Sequence, residues 1–263
     1  MTFDPTSHTP NAAPSARVIK VATLNVRTGT AFDGRNSWPF RTSSLARCIT
    51  DLDADIIGFQ EVLGFQRCWL RRMLPGYSDV GVGRSRFRRG EASPVFVNDS
   101  FASIAKSGTR WFGATPDQPG TRLQGSTLPR IATTVSLVTG GGSMFDVTCV
   151  HLDHRSEARR RESTTQLLSW LDLSTPQIVL GDFNATLDSG SVRKMLDNGF
   201  VSALDGHRPG TFHGFGKLLP AKQIDHILVT DHFRVIRASA IERSDLRPLP
   251  SDHWPVLAEV ELI

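Results

Sequence analysis

Stretches of strand-forming residues in this chain repeatedly stop on acids, amides or histidines, and that habit constrains the fold more than any other feature. The run from Gln177 to Leu180 ends at Gly181, Asp182, Phe183 and Asn184. The run around Ile56 and Ile57 ends at Gln60 and Glu61, and a third ends at His151 with Asp153 two residues on. Asn25, Asp225 and the pair Asp252 and His253 border further runs. Side chains alternate along an extended chain, so Asp182 and Asn184 are expected on one face and Phe183 on the other. Taken singly, a strand-end Asp or Asn is as well read as a turn former, and a lone His as a satisfied structural residue. Repetition over several strands favours strand ends that converge on one rim and share a polar site.

The order of segments indicates which layers can form. A strand over VIKVATLN ends at Asn25, and SWPFRTSSLARCITDLDA reads as a helix, with Asn36 or Ser37 as its cap and Leu45, Ile49 and Leu52 at helical spacing. A second helix over FQRCWLRRML stops at Pro75 and Gly76, after which strands dominate as far as His151, the last two joined by GGGS. The helix SEARRRESTTQLLSWLDL, the strand into Asp182, a short helix over SVRKMLDNG and three closing strands complete the chain. About ten strands mixed with about four helices predict an α/β fold, a four-layer α-β-β-α sandwich of two mixed β-sheets packed face to face with helices outside. Residues 1–16, rich in Pro, Thr, Ser and Ala, are expected to be a disordered tail, and residues 17–263 a single domain.

Composition narrows the class: 39% hydrophobic and 21% charged is the make-up of an ordinary globular protein. No apolar run reaches membrane-spanning length, and the N-terminus lacks the basic start and apolar block of a signal peptide. A cytoplasmic protein is therefore expected, with no membrane partner and no obligate protein partner. Cys48, Cys68 and Cys149 are an odd number without paired spacing, each expected as a small buried hydrophobe. The formal charge is only +4, but arginines crowd positions 84, 86, 88 and 89 and again 155, 159, 160 and 161. A solvated face is the plain reading of such runs, although they could steer an anionic substrate.

Six motifs carry a resemblance: TLN at 23–25, FQEV at 59–62, HLDH at 151–154, GDFN at 181–184, IDHILV at 224–229 and SDHWPV at 251–256. Their order and spacing resemble the endonuclease/exonuclease/phosphatase superfamily, with its DNase-I-like fold, and in particular a histidine-containing branch of bacterial metal-dependent hydrolases. The resemblance runs from about Val18 to the C-terminus. It implies hydrolysis of phosphoester bonds with Mg²⁺ or Mn²⁺, held by Glu61 with Asn25 beside it and with Asp252 as a further ligand. It also implies that Asp182 orients or deprotonates the attacking water, that Asn184 donates to a phosphate oxygen, and that His253 and His151 stabilise charge on phosphorus. Asp225 is the matching carboxylate for His253, and Glu91 resembles the acid that pairs with His151 in related branches. Arg130 could bind phosphate as a planar fork, and Asp153 could support His151 from the same face. Trp111 and Trp254 read as packing residues, though Trp111 precedes a loop that could wall a substrate.

The substrate class stays open at this stage: phosphodiester or phosphomonoester, nucleic acid, nucleotide or another small phosphorylated molecule. An abasic-site repair endonuclease is an alternative, but the branch with that activity has a tyrosine-containing motif where this chain has His151, and the only tyrosine is Tyr77. A catalytically inactive binding module of the same fold is a second alternative, set against the full polar complement above.

Overall fold

The computed structural model describes residues 17–204, 210–218 and 220–263, so the expected tail at 1–16 lies outside the described residues. The chain begins with β1 (Val18–Asn25), α1 (Trp38–Leu52), β2 (Ile56–Gln60), α2 (Gly64–Met73), β3 (Tyr77–Val80) and β4 (Val95–Asn98). It continues with β5 (Ala102–Trp111), β6 (Ile131–Thr139), β7 (Met144–His151), α3 (Glu157–Trp170) and β8 (Gln177–Asp182). The final elements are α4 (Gly190–Leu196), β9 (Phe200–Ser202), β10 (Asp225–Thr230), β11 (Phe233–Ala240) and β12 (Val256–Leu262).

Two six-stranded sheets result, in the orders β11-β12-β1-β2-β4-β3 and β5-β6-β7-β8-β10-β9. Each is mixed, because each contains one parallel pair, β1 with β2 and β7 with β8, among antiparallel neighbours. Parallel neighbours need a crossover, and α1 and α3 supply it. Both strands of a parallel pair end at the same rim, which brings Asn25 level with Gln60 and His151 level with Asp182. β10 runs antiparallel to β8 and so starts at that rim, with Asp225 opposite Asp182.

Three apolar layers hold this arrangement. Val21, Ile56, Cys149, Ile178, Leu180 and Ile227 are among the residues that fill the space between the sheets. Leu45, Ile49 and Leu70 from α1 and α2 cover Leu24, Ile57 and Phe59 on the outer face of the first sheet. Leu167, Val192 and Met195 from α3 and α4 cover Val150, Val179 and Leu228 on the second. β2, β8 and β10 are buried along their whole length, as expected for central strands covered on both faces, so their sequences are continuous apolar runs rather than alternating ones. No helix among the described residues is long and apolar enough to cross a membrane.

Two local expectations change. The stretch YSDVGVGR reads as one strand in sequence, but the strand ends at Val80 because Gly81 turns out of the sheet at φ 125°. Cys68 is not a core residue: it lies exposed on α2, whereas Cys48 and Cys149 are buried and all three thiols are free. Burial pushes the thiols of Cys48 and Cys149 up to about 12. Thiolate is the reactive form, so alkylation of the native protein is expected to modify Cys68 and to spare the other two until denaturant is added. Intact mass before and after unfolding checks this.

Candidate functional site

The rim that collects the parallel strand ends is held together by one amide. Asn25 Nδ2 donates to Asp182 Oδ2 at 3.0 Å across the two sheets and to Glu61 Oε1 at 3.1 Å within its own. Glu61 follows β2 in a left-handed conformation, φ 62°, which turns its carboxylate back so that Oε2 accepts the Thr28 N–H at 2.7 Å. Arg27 and Asn184 are also left-handed, at φ 58° and 50°. Three non-glycine residues held there mark a site whose surroundings impose the strain.

Asp182 is the centre of the polar set. Its Oδ1 accepts the Asn184 N–H at 2.8 Å, and its Oδ2 lies 3.5 Å from His151 Nε2 and 3.9 Å from His253 Nε2. Burial, and then the nearby Asp225 carboxylate, push Asp182 up to about 7. His253 Nδ1 donates to Asp225 Oδ2 at 2.8 Å, and Thr211 Oγ1 donates to the same oxygen at 2.6 Å. Burial opposes a charged imidazole, but Asp225 and Asp182 outweigh it and raise His253 to about 10, so this ring is a cation at neutral pH. His151 is the opposite case, since burial and the neighbouring Arg130 and Arg84 hold it well below the ordinary histidine range and keep it neutral.

The cleft above these groups has a volume of about 310 Å³, and Arg27, Arg84 and Arg130 line it together with Glu61, Asp182 and Asp252. A larger hollow of about 660 Å³ lies on the outer face of the second sheet beside Trp170, but it gathers no comparable carboxylate and histidine set. Asp252 is buried, its carboxyl raised by burial with Glu61 adding to the effect, and its Oδ2 stands 3.7 Å from Arg27 Nε. Arg27 forks onto Asp33 with two contacts of 3.1 Å. Arg130 is buried and gives Nη2 to His154 Nδ1 at 3.0 Å, leaving Nε and Nη1 without a partner among the described residues. Ligand atoms of Asp182, Asp225 and His253 lie within 4.8 Å of one another, a spacing that a metal ion could bridge. A protonated imidazole already donating to Asp225 is a poor ligand, however, and a hard cation prefers oxygens such as those of Glu61, Asp252 and Asn25.

Several expectations about side chains are corrected by these contacts. Asn184 does not continue the strand beside Asp182, because its left-handed backbone breaks the period-two pattern and its Nδ2 donates to Leu152 O at 3.2 Å. It still lines the cleft, while Phe183 is buried edge-on against His226 in the helix-side core. Glu91 meets Arg84 at 2.7 Å and makes no hydrogen bond or ion pair with His151 among the described residues. The acid beside His151 is Asp182. Asp153 accepts the N–H groups of Arg155 and Ser156, both at 2.8 Å, so it shapes the turn into α3. Trp111 is buried, and its Nε1 donates to Arg84 O at 2.6 Å.

Three supporting residues escaped sequence reasoning. Arg41, fully buried on α1, donates Nη2 to Arg27 O at 2.7 Å and Nη1 to Pro250 O at 2.9 Å, tying together the loops that carry Arg27 and His253. Its signal was present, as an arginine on the same helical face as Trp38, Leu45 and Cys48. Ser251 Oγ donates to Asn25 O at 2.6 Å, and Thr211 holds Asp225; neither stands out in sequence from other loop hydroxyls.

Residues 22–253 match the Endonuclease/Exonuclease/phosphatase family, and the chain belongs to it. Among solved structures it is similar to an endonuclease/exonuclease/phosphatase from Bacteroides vulgatus, at 30% identity over 94% of this chain and 100% of that one, with a TM-score of 0.89. A mannosyl-6-phosphatase from Bacteroides thetaiotaomicron is 28% identical over 92% of this chain and 99% of its own, with a TM-score of 0.83. The catalytic domain of human Nocturnin, with bound sulfate, shares the fold at 20% identity over 94% of each chain and a TM-score of 0.75. No curated protein sequence matches the chain.

Proposed function

We propose that this protein hydrolyses phosphoesters by attack of water on phosphorus, assisted by a divalent cation, Mg²⁺ or Mn²⁺. The observation that carries the reading is a buried carboxylate, Asp182, pushed up to about 7 and set within 3.9 Å of a cationic His253. A base poised near neutral pH beside a fixed positive charge suits abstraction of a proton from water while negative charge grows on an adjacent group.

The donor set fits the cation. Glu61 and Asp252 bring carboxylates close enough for one to raise the other, and a hard metal ion takes oxygen ligands of this kind. Glu61, Asn25 and Asp252 would hold it, and when bound it would draw charge from a phosphate oxygen. Asp182, fixed by Asn25 and by the Asn184 N–H, accepts the proton of the attacking water. His253, kept protonated and oriented by Asp225, donates to the phosphate oxygen that gains charge. Neutral His151 and the second N–H of the Asn184 amide serve as uncharged donors on the same side, and Arg130 offers its unpartnered nitrogens, Nε and Nη1, to a non-reacting oxygen.

A monoester reading draws support from the likeness to the mannosyl-6-phosphatase and from a cleft that fits a small molecule. The purified protein is expected to turn over at least one of p-nitrophenyl phosphate, bis(p-nitrophenyl) phosphate, phospho-sugars, DNA or RNA with Mg²⁺ or Mn²⁺, and to lose that activity in EDTA. No turnover on any of them, together with no Mg²⁺ or Mn²⁺ binding by calorimetry, would overturn the reading.

A further inference from the structure

Residues 84–91 run from the cleft out to solvent and back. At the base, Arg84 and Glu91 face each other across 2.7 Å, and both line the cleft. Backbone bonds from Arg84 N to Glu91 O at 2.9 Å and from Ser85 N to Arg89 O at 2.9 Å close the loop. The segment is clamped, because the Trp111 indole holds Arg84 O at 2.6 Å and Gly120 lies so close that a Cβ there would come within 2.8 Å of Arg86 N.

At the tip the sequence is unfavourable for a loop with only structural duties. Phe87 is 76% exposed. It sits at φ 64°, followed by Arg88 at φ 58°, where a bulky residue is strained and Gly or Asn would relieve the cost. An apolar ring in water and a left-handed phenylalanine are two penalties at one position, and among the described residues only the Arg86 guanidinium, 5.2 Å from the ring, stacks on it. Arg86, Arg88 and Arg89 are exposed and make no ion pair among the described residues. Elsewhere the chain does neutralise exposed arginines, as where Arg234 and Arg237 on β11 meet Glu261 and Glu259 on β12. Three residues of chain span at most about 10 Å, so Phe87 stands within that reach of Arg84 at the cleft, and the Ser85 N to Arg89 O bond brings Arg89 back beside Ser85.

We propose that residues 84–91 form a second binding subsite at the lip of the cleft, one that stacks a planar ring on Phe87 and pairs additional phosphates with Arg86, Arg88 and Arg89. The ligand class is a phosphorylated nucleoside carrying more than one phosphate, supplied by a single-stranded nucleic acid or by a free nucleotide; the proposal rests on the phosphoesterase reading of the adjoining cleft. Alternating aromatic and guanidinium groups suit this ligand, because each base offers a face and each phosphate a charge. A singly phosphorylated sugar would leave the lip unused.

The test is binding to the full-length protein in EDTA, which separates recognition from turnover. Anisotropy of a labelled ten-nucleotide single strand and calorimetry with ADP are compared for the wild type, R86S/R88S/R89S, Phe87→Ala, Phe87→Trp and a control, R47S/R72S/R161S. The control also removes three exposed arginines, on the outer helices and away from the lip. The triple lip variant is expected to weaken strand binding at least tenfold and to flatten its salt dependence by about two in slope. Phe87→Ala should cost about fivefold or more, with Phe87→Trp restoring it, and the control should change binding less than twofold. A loss confined to ADP identifies the free nucleotide as the source, and a larger loss with the strand identifies the polymer. Lip variants indistinguishable from the control on both ligands would overturn the proposal. Lip-dependent binding in a protein that neither turns over any ester of the panel nor binds Mg²⁺ or Mn²⁺ would sink the phosphoesterase reading and leave the subsite standing.

Discussion

Asp182→Asn is expected to lower kcat by on the order of 10²-fold or more, while the protein folds at least as stably as before. The substitution keeps the shape and one oxygen, so the Asn184 N–H retains its acceptor, but the amide cannot take a proton from water. Its stability effect has a definite sign. A carboxyl raised from 3.8 to about 7 by burial disfavours the folded state whenever it must be charged. That cost is absent below the ordinary carboxyl value, grows between the two, and is fully present above about 7. In metal-free protein the Asn variant should therefore unfold at a higher temperature than the wild type at pH 8, and the difference should vanish towards pH 4. Wild-type turnover in a folded variant would remove Asp182 from the mechanism. A variant less stable than wild type at pH 8 would show that the Asn25 and His151 contacts hold the carboxylate favourably despite its burial.

Gly181→Ala, one residue away, should have the opposite character, a large loss of stability. Gly181 sits at φ 141°, and a Cβ there would lie 2.0 Å from the carbonyl oxygen of Val150, its register partner in β7. The obstacle is backbone in the centre of a sheet, so it cannot swing aside as a side chain can. Overpacking and a strained backbone together should cost about 3 kcal/mol or more, measured by urea unfolding. Gly140, in the turn between β6 and β7, has open space around it, and Gly140→Ala should fall within about 0.5 kcal/mol of wild type. Equal effects at the two positions would mean that β7 and β8 can separate without penalty. The glycine of GDFN thus serves the sheet, and the next residue serves the cleft.

The strand ends were readable in sequence because apolar runs report burial directly, and a run that stops on Asp or Asn marks where the sheet ends. The helices α1 to α4 were readable for the same reason, through spacing and turn residues. β9, only three residues long, has too few positions to show a period. The failures lie where geometry departs from a regular lattice. Strand alternation cannot anticipate that Asn184 turns left-handed, nor that Asp153 is consumed by a turn. The resemblance suggests Glu91 as a partner for His151, but the fold offers it Arg84, whose approach depends on a loop clamped by Trp111. Arg41 joins segments separated by 209 positions, a distance over which one chain's local pattern carries no pairing information.

The hydrogen bond from Asn25 to Asp182 joins residues 157 positions apart and belonging to different sheets. Each sheet contributes part of the polar set at the cleft, Asn25 and Glu61 from one and His151 and Asp182 from the other, so neither sheet alone carries the proposed centre. The cleft is a gauge of how the two sheets slide and seat on one another. Its geometry answers to the apolar layer between them, so under the proposed function a substitution deep in that layer, touching nothing polar, is expected to lower activity by shifting one sheet against the other. Under the proposed function, activity regained after unfolding is accordingly expected to report the docking of the two sheets rather than the formation of either one.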